Sequence, residues 1–270
     1  MNFFKHTITK TLVVAAVLYG AVCLYFYSIQ TALIFHPYEI QQDAQYQYQF
    51  EYYERWFIPD KEVKIHAIHA HTEADSVEGL VMYLHGNAGA NRTNPNRYRL
   101  FLDNGYDVIY ADYRGFGKSR GKLHNEEDLV GDMNYVFTTM EKEYGEENIV
   151  LVGYSLGSGV AAQVAKKKSP KTLILWAPFY SLIDVKNSQF PFLPNAIMNF
   201  TLRTYKSLQI IDEPVHIFYA GSDDVLPVER SLKLTNYLKK GDSYKVLKGQ
   251  RHGGIYRNPE LRDKLREILN

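Results

Sequence analysis

Gly153-Tyr154-Ser155-Leu156-Gly157 sets one serine between two glycines, directly behind the apolar run Ile149-Val150-Leu151-Val152. A strand that turns sharply into a helix there holds the serine hydroxyl at the corner, and the flanking glycines relieve clashes with strand and helix. A hydroxyl is a weak nucleophile, so acyl transfer needs a base beside it and a carboxylate that orients the base. Both residue types follow, in the order acid then base. Asp223 and Asp224 stand in Gly221-Ser222-Asp223-Asp224-Val225-Leu226-Pro227, behind an apolar run at 215–219. His252 stands in Arg251-His252-Gly253-Gly254, behind the expected strand at 244–247. Upstream, a run at 80–84 enters His85-Gly86-Asn87-Ala88-Gly89, a turn with free main-chain N–H groups. The expected oxyanion donors are the amides of Asn87 and Leu156. Singly, each group has a bland reading: helix cap, turn former, surface histidine. Joined in this order they point to nucleophilic acyl transfer through Ser155.

The elements that must position these residues follow from periodicity. Strands are expected over 53–58, 63–71, 80–84, 107–111, 149–153, 172–176, 215–219 and 244–247. Helices are expected over 96–104, 126–144, 156–168, 229–240 and 259–269. Asn125 followed by Glu126-Glu127-Asp128 supplies a cap and an acidic first turn. Runs such as IVLVG and TLILWA are apolar on both faces, which places them in a sheet covered on each side. Alternating strands and helices then give a mostly parallel, doubly wound eight-stranded sheet with an antiparallel N-terminal edge. In such a sheet the chemistry collects beyond the strand C-termini, where all the residues above fall.

The N-terminus is different. Between Thr11 and Tyr38 there is no Asp, Glu, Lys or Arg. Residues 12–35 form an apolar stretch of about 36 Å as a helix, enough to cross a hydrocarbon core of about 30 Å. Lys5 and Lys10 precede it and Glu39 and Asp43 follow, which keeps the N-terminus cytoplasmic and carries the remainder across. A buried core helix and a cleaved signal peptide are the competing readings; the run is long, and Gly20-Ala21-Val22-Cys23 is a poor lipoprotein cleavage box. The expected organisation is a short cytoplasmic segment 1–11, a transmembrane anchor 12–35, a connector 36–52, and one domain over 53–270 with a small lid at 179–210.

YLHGNAG, DYRGFGKSRG, GYSLGSG, SDDVLP and RHGG occur in the order found in α/β-hydrolases, and the chain resembles that superfamily from about Phe50 to Leu269. It is most similar to a membrane-anchored subgroup of depalmitoylases and lipid esterases, near serine aminopeptidase-like hydrolases. The resemblance implies a Ser155–Asp223–His252 triad, with Asp223 favoured because family acids sit four residues before the following proline, here Pro227. Counting from Gly221 instead would favour Asp224. The chain departs from the family at Ala220 and Ser158, each where glycine is usual. The implied activity is hydrolysis of esters or thioesters of apolar acyl groups, on a small acyl substrate or a lipid, without cofactor or metal. A serine peptidase or amidase, or a silent membrane-tethered interaction module, are the alternatives.

Other features are weighed and set aside. Lys and Arg number 31 against 30 Asp and Glu, with no basic stripe for nucleic acid. The single cysteine, Cys23, excludes an intrachain disulfide. Gly115-Phe116-Gly117-Lys118-Ser119 ends like a phosphate loop, but Asp112 stands where its first glycine is required. His69 and His71 share a strand face without an evident third metal ligand. Lys166-Lys167-Lys168 reads as a solvated helix end.

Overall fold

Residues 2–91 and 96–269 are described in a computed structural model. Eight strands form the central sheet: β1 (Tyr52–Asp60), β2 (Val63–Ala70), β3 (Gly79–Leu84), β4 (Tyr106–Ala111), β5 (Ile149–Tyr154), β6 (Thr172–Trp176), β7 (Val215–Ala220) and β8 (Ser243–Leu247). Their order across the sheet is β8-β7-β6-β5-β3-β4-β2-β1. β1 pairs antiparallel with β2, β2 antiparallel with β4, and every other pairing is parallel.

The central strands are apolar on both faces because both are covered. Along β5, Ile149 and Leu151 join the core beneath α3 (Glu126–Tyr144) and α4 (Leu156–Ala165). Val150 and Val152 point to the opposite core, beneath α2 (Asn96–Leu102) and α8 (Pro259–Leu269). Asn125 caps α3 through its side-chain oxygen, which accepts from the Asp128 N–H at 2.8 Å.

Between β6 and β7 the chain leaves the sheet for a segment holding α5 (Leu182–Gln189) and α6 (Thr204–Leu208). Ser181 caps α5, accepting from the Asp184 N–H. The segment is pinned at its far side by Glu126, whose Oε2 accepts from the N–H groups of Thr201 and Leu202 and from the Thr201 hydroxyl. The helix expected over 229–240 is instead a single turn, α7 (Val228–Ser231), continued as a 3-10 stretch Leu232–Tyr237. Thr235 returns its hydroxyl to the Leu232 carbonyl, the local competition that makes threonine a poor helix interior residue.

The N-terminal helix α1 spans Asn2–Ile34, so helix begins well before the apolar run does. His6–Ile34 is long and apolar enough to cross a membrane by length and composition. Its residues 6–22 are exposed, whereas Cys23, Phe26, Ile29, Gln30 and Ile34 are partly or fully covered by the rest of the fold. The connector, residues 36–52, is anchored to the fold at several points. His36–Pro37 pairs in parallel with Ala88–Gly89, and Ile40, Tyr46 and Phe50 are buried. Phe35 seats its ring against Phe116 and Phe200.

Candidate active site

Ser155 ends β5 and precedes α4 with φ 52° and ψ −120°, a conformation that side chains other than glycine rarely adopt. The flanking glycines are explained by close approach. A Cβ at Gly157 would collide with the carbonyl oxygens of Leu84 and His85, and one at Gly153 with Gly157 and Ser158 backbone atoms. Ser158, the departure from the family glycine, donates its hydroxyl to the Ser155 carbonyl at 2.6 Å and so satisfies a carbonyl at the strained corner. The other departure, Ala220, is buried at the end of β7, and its carbonyl accepts the Asp223 N–H.

The structure brings Ser155, His252 and Asp223 together. His252 Nε2 lies 2.9 Å from Ser155 Oγ, and Nδ1 lies 2.7 Å from Asp223 Oδ2. Asp223 Oδ1 accepts the N–H groups of Val225 and Leu226 at 2.9 and 2.7 Å, which fixes the carboxylate plane. Asp224 points away from the ring. Its carboxylate carries the Arg251 guanidinium, which holds it below the ordinary carboxyl range, and accepts the His252 main-chain N–H at 3.2 Å. Both aspartates therefore serve the histidine loop, but only Asp223 meets the imidazole.

Asn87 and Leu156 both line the cavity that contains Ser155. Among the described residues neither main-chain N–H donates to a protein acceptor. The turn carrying Asn87 is braced from below. His85 is fully buried, donates Nδ1–H to the Gly86 carbonyl, and accepts the Tyr113 hydroxyl on its own carbonyl. Burial lowers its imidazole to about 3, so it is neutral, and pushes the neighbouring Asp112 carboxyl, 3.7 Å away, well above its ordinary value.

The cavity has a volume of about 220 Å³ and is mostly apolar, with Phe179, Leu182, Phe190 and Leu193 from the segment after β6. Lys186 is its one cation, and no carboxylate lines it among the described residues. Several functional neighbours escape sequence reasoning. Arg97 lies over the rings of Tyr83, Tyr154 and Tyr256, and Tyr154 donates its hydroxyl to the His252 carbonyl, supporting the histidine loop. Nothing in the local pattern around Arg97 announces this. Phe26, Gln30, Leu33 and Ile34 of α1 also line the cavity; their i, i+4, i+7, i+8 spacing on an apolar helix is the one signal available.

Two other sequence motifs resolve differently. Lys118 does not face a phosphate site: its ammonium donates to Glu54 at 2.6 Å and lies over the Tyr46 ring. His69 and His71 do have a third potential ligand, Asp107, brought beside them because β2 pairs with β4. Its oxygens already accept hydrogen bonds. His71 and the Tyr144 hydroxyl both donate to Asp107 Oδ2, the Thr72 N–H donates to Oδ1, and His69 Nε2 donates to the Tyr144 oxygen.

Strand order, covered sheet and serine corner define an α/β-hydrolase. The chain belongs to the serine aminopeptidase S33 family, whose model matches residues 75–212, just over half of it. It is 32% identical to a lysophosphatidylserine lipase ABHD12 of Xenopus tropicalis over 222 residues, covering 70% of this chain and 57% of the relative. The mouse protein of the same name is 30% identical, with 72% of this chain and 56% of the relative covered. The chain thus spans a little over half the length of these curated relatives. Its fold matches the Pyrococcus furiosus esterase Pf2001 with a TM-score of 0.71 at 17% identity, over 87% of this chain and 96% of the other.

Proposed function

We propose that this chain is a serine hydrolase that cleaves carboxylic esters or thioesters of apolar acyl groups. The observation that carries this reading is the 2.9 Å contact of Ser155 Oγ with His252 Nε2 at the wall of an apolar cavity. Ser155 Oγ attacks the acyl carbonyl and passes its proton to His252 Nε2, while Asp223 holds Nδ1–H and balances the imidazolium charge. The oxyanion takes hydrogen bonds from the Asn87 and Leu156 amides; each such donor is worth about 10²–10³ in rate. Collapse expels the alcohol or thiol, which leaves with the proton from His252. Water, deprotonated by the same nitrogen, then attacks the acyl-enzyme and releases the acid.

A lipid ester suits the cavity best. The chain's relatives include proteins named lysophosphatidylserine lipase, and the cavity wall carries Lys186, whose ammonium donates to the Leu193 carbonyl and the Asn187 side chain. The family description, serine aminopeptidase, supports an amide reading as well, but a substrate ammonium would find no carboxylate among the described cavity residues. The apolar helix His6–Ile34 supports a single-pass anchor. The lysines before it and the acids after it favour a cytoplasmic N-terminus with the hydrolase fold on the opposite side; a reporter fused at the C-terminus reads that orientation. For the chemistry, Ser155→Ala is expected to lower turnover of p-nitrophenyl butyrate by about 10⁴-fold or more. Near-normal turnover in that variant would refute the assignment.

A further inference from the structure

The anchor is more than a tether. Phe26, Gln30, Leu33 and Ile34 lie on one stripe of α1, and all four line the cavity that holds Ser155 and Asn87. The helix ends on the oxyanion turn itself. Asn87 donates its side-chain amide to the Ile34 carbonyl at 3.0 Å, and the His36 N–H donates to the Asn87 carbonyl at 2.8 Å. From Ile34 back to Phe26 is eight residues, about 12 Å along the axis. The cavity therefore runs from the reacting serine along the helix.

The other wall is the segment after β6, and the two are locked in register. Gln30 is a buried polar side chain in an otherwise apolar stretch. Its Nε2 donates to the Ile197 carbonyl at 3.0 Å, and its Oε1 accepts the Asn199 N–H at 2.7 Å. One turn earlier, the Phe26 ring packs on Phe190 at 5.2 Å and Phe192 at 6.1 Å. Tyr19 donates its hydroxyl to the Phe192 carbonyl at 2.8 Å. N-terminal to Tyr19 the same helix is exposed from residue 6 to residue 18, as a lipid-facing helix is.

We infer that the C-terminal part of α1 is the acyl-selecting wall of the active site, along which the chain of a membrane-resident, long-chain lipid ester passes from the bilayer to Ser155. This rests on the ester-hydrolase reading above and adds the source and the size limit of the substrate. Phe26 and Leu33 set how long a chain fits, and Gln30 is a positioning residue that holds helix and lid segment in register.

The test uses the full chain in phosphatidylcholine vesicles, with kcat/KM measured for p-nitrophenyl palmitate and butyrate. Phe26→Trp and Leu33→Trp narrow the cavity and are expected to lower the palmitate-to-butyrate ratio by about tenfold or more, the scale on which pockets discriminate by size. Phe26→Ala is expected to raise it. Val14→Trp, on the exposed part of the same helix, is expected to leave the ratio within about twofold. A ratio unmoved in the Phe26 and Leu33 variants, or moved equally by Val14→Trp, overturns the inference. The unsubstituted protein gives a second readout that needs no variant to fold. A long-chain alkyl fluorophosphonate carrying a terminal diazirine, bound at Ser155 and irradiated, is expected to crosslink to α1; crosslinks confined to other elements overturn the inference. Butyrate hydrolysis that survives Ser155→Ala would instead sink the ester-hydrolase reading itself.

Discussion

Asp223 and Asp224 are adjacent, equally charged, and differ only in what they touch, so replacing each by asparagine separates orientation of the base from loop support. The Asp223 side chain is 4% exposed, with Oδ2 accepting from the imidazole and Oδ1 accepting two main-chain N–H groups. An asparagine has one oxygen and one NH2 group to offer three donors. Whichever way it turns, NH2 faces either Nδ1–H or the Val225 and Leu226 amides. The conflict with the ring is relieved when the imidazole takes the other tautomer, which puts a proton on Nε2 and removes the base that Ser155 requires. Loss of that tautomer costs about 10⁴ in kcat, or about 5.5 kcal/mol of transition-state stabilisation. Asp224 is exposed and bonds the Arg251 side chain and a main-chain N–H, contacts an asparagine oxygen partly retains. Asp224→Asn is therefore expected to change kcat/KM by no more than a few-fold. The assay is hydrolysis of p-nitrophenyl butyrate across the pH range where both variants stay folded. Equal losses in the two variants, or an Asp223→Asn enzyme within about tenfold of the parent, would refute the reasoning.

Two further expectations concern stability. Gly157→Ala drives a Cβ into the carbonyls of Leu84 and His85, backbone that cannot swing aside, and is expected to cost about 3 kcal/mol or more. Gly131→Ala, in the interior of α3 with open space around it, is expected to raise Tm slightly by helix propensity; thermal unfolding of both variants checks the contrast. Acid sensitivity follows from buried histidines. Burial lowers His66 and His69 to about 4 and His85 to about 3, against an ordinary value near 6.5. Between these values the unfolded chain binds protons that the folded one does not, so stability is full above pH 6.5 and is lost as pH falls. Three such groups amount to about 3 kcal/mol between pH 6.5 and 5.5. Tm measured at the two pH values should fall accordingly, and a Tm that rises on acidification would contradict the burial argument.

The sheet was legible because its central strands are written locally, as short runs apolar on both faces, and residues of the site follow strands in the chain. Ser155, Asp223 and His252 are far apart in the chain, yet each follows a strand that the parallel sheet must align. What local pattern could not supply is whatever depends on a through-space partner. Asp107 joins His69 and His71 only because β2 lies against β4. Arg97 matters through three tyrosines from separate elements. Gln30 reads as an incidental polar residue in an apolar helix until Ile197 and Asn199 are placed beside it. The helix expected over 229–240 had the right apolar spacing, but Thr235 spends its hydroxyl on the preceding turn and the backbone tightens to 3-10 geometry. The connector at 36–52 is polar and tyrosine-rich, and it is held by pairing with Ala88–Gly89 rather than by its own periodicity.

The account stands or falls on whether Ser155 is activated by His252. Fluorophosphonate labelling of the full chain, mapped by peptide mass spectrometry, measures this directly. One adduct is predicted, on Ser155, absent in Ser155→Ala and formed far more slowly in His252→Ala. An adduct on any other residue, or labelling of Ser155 at an undiminished rate without the imidazole, would contradict it.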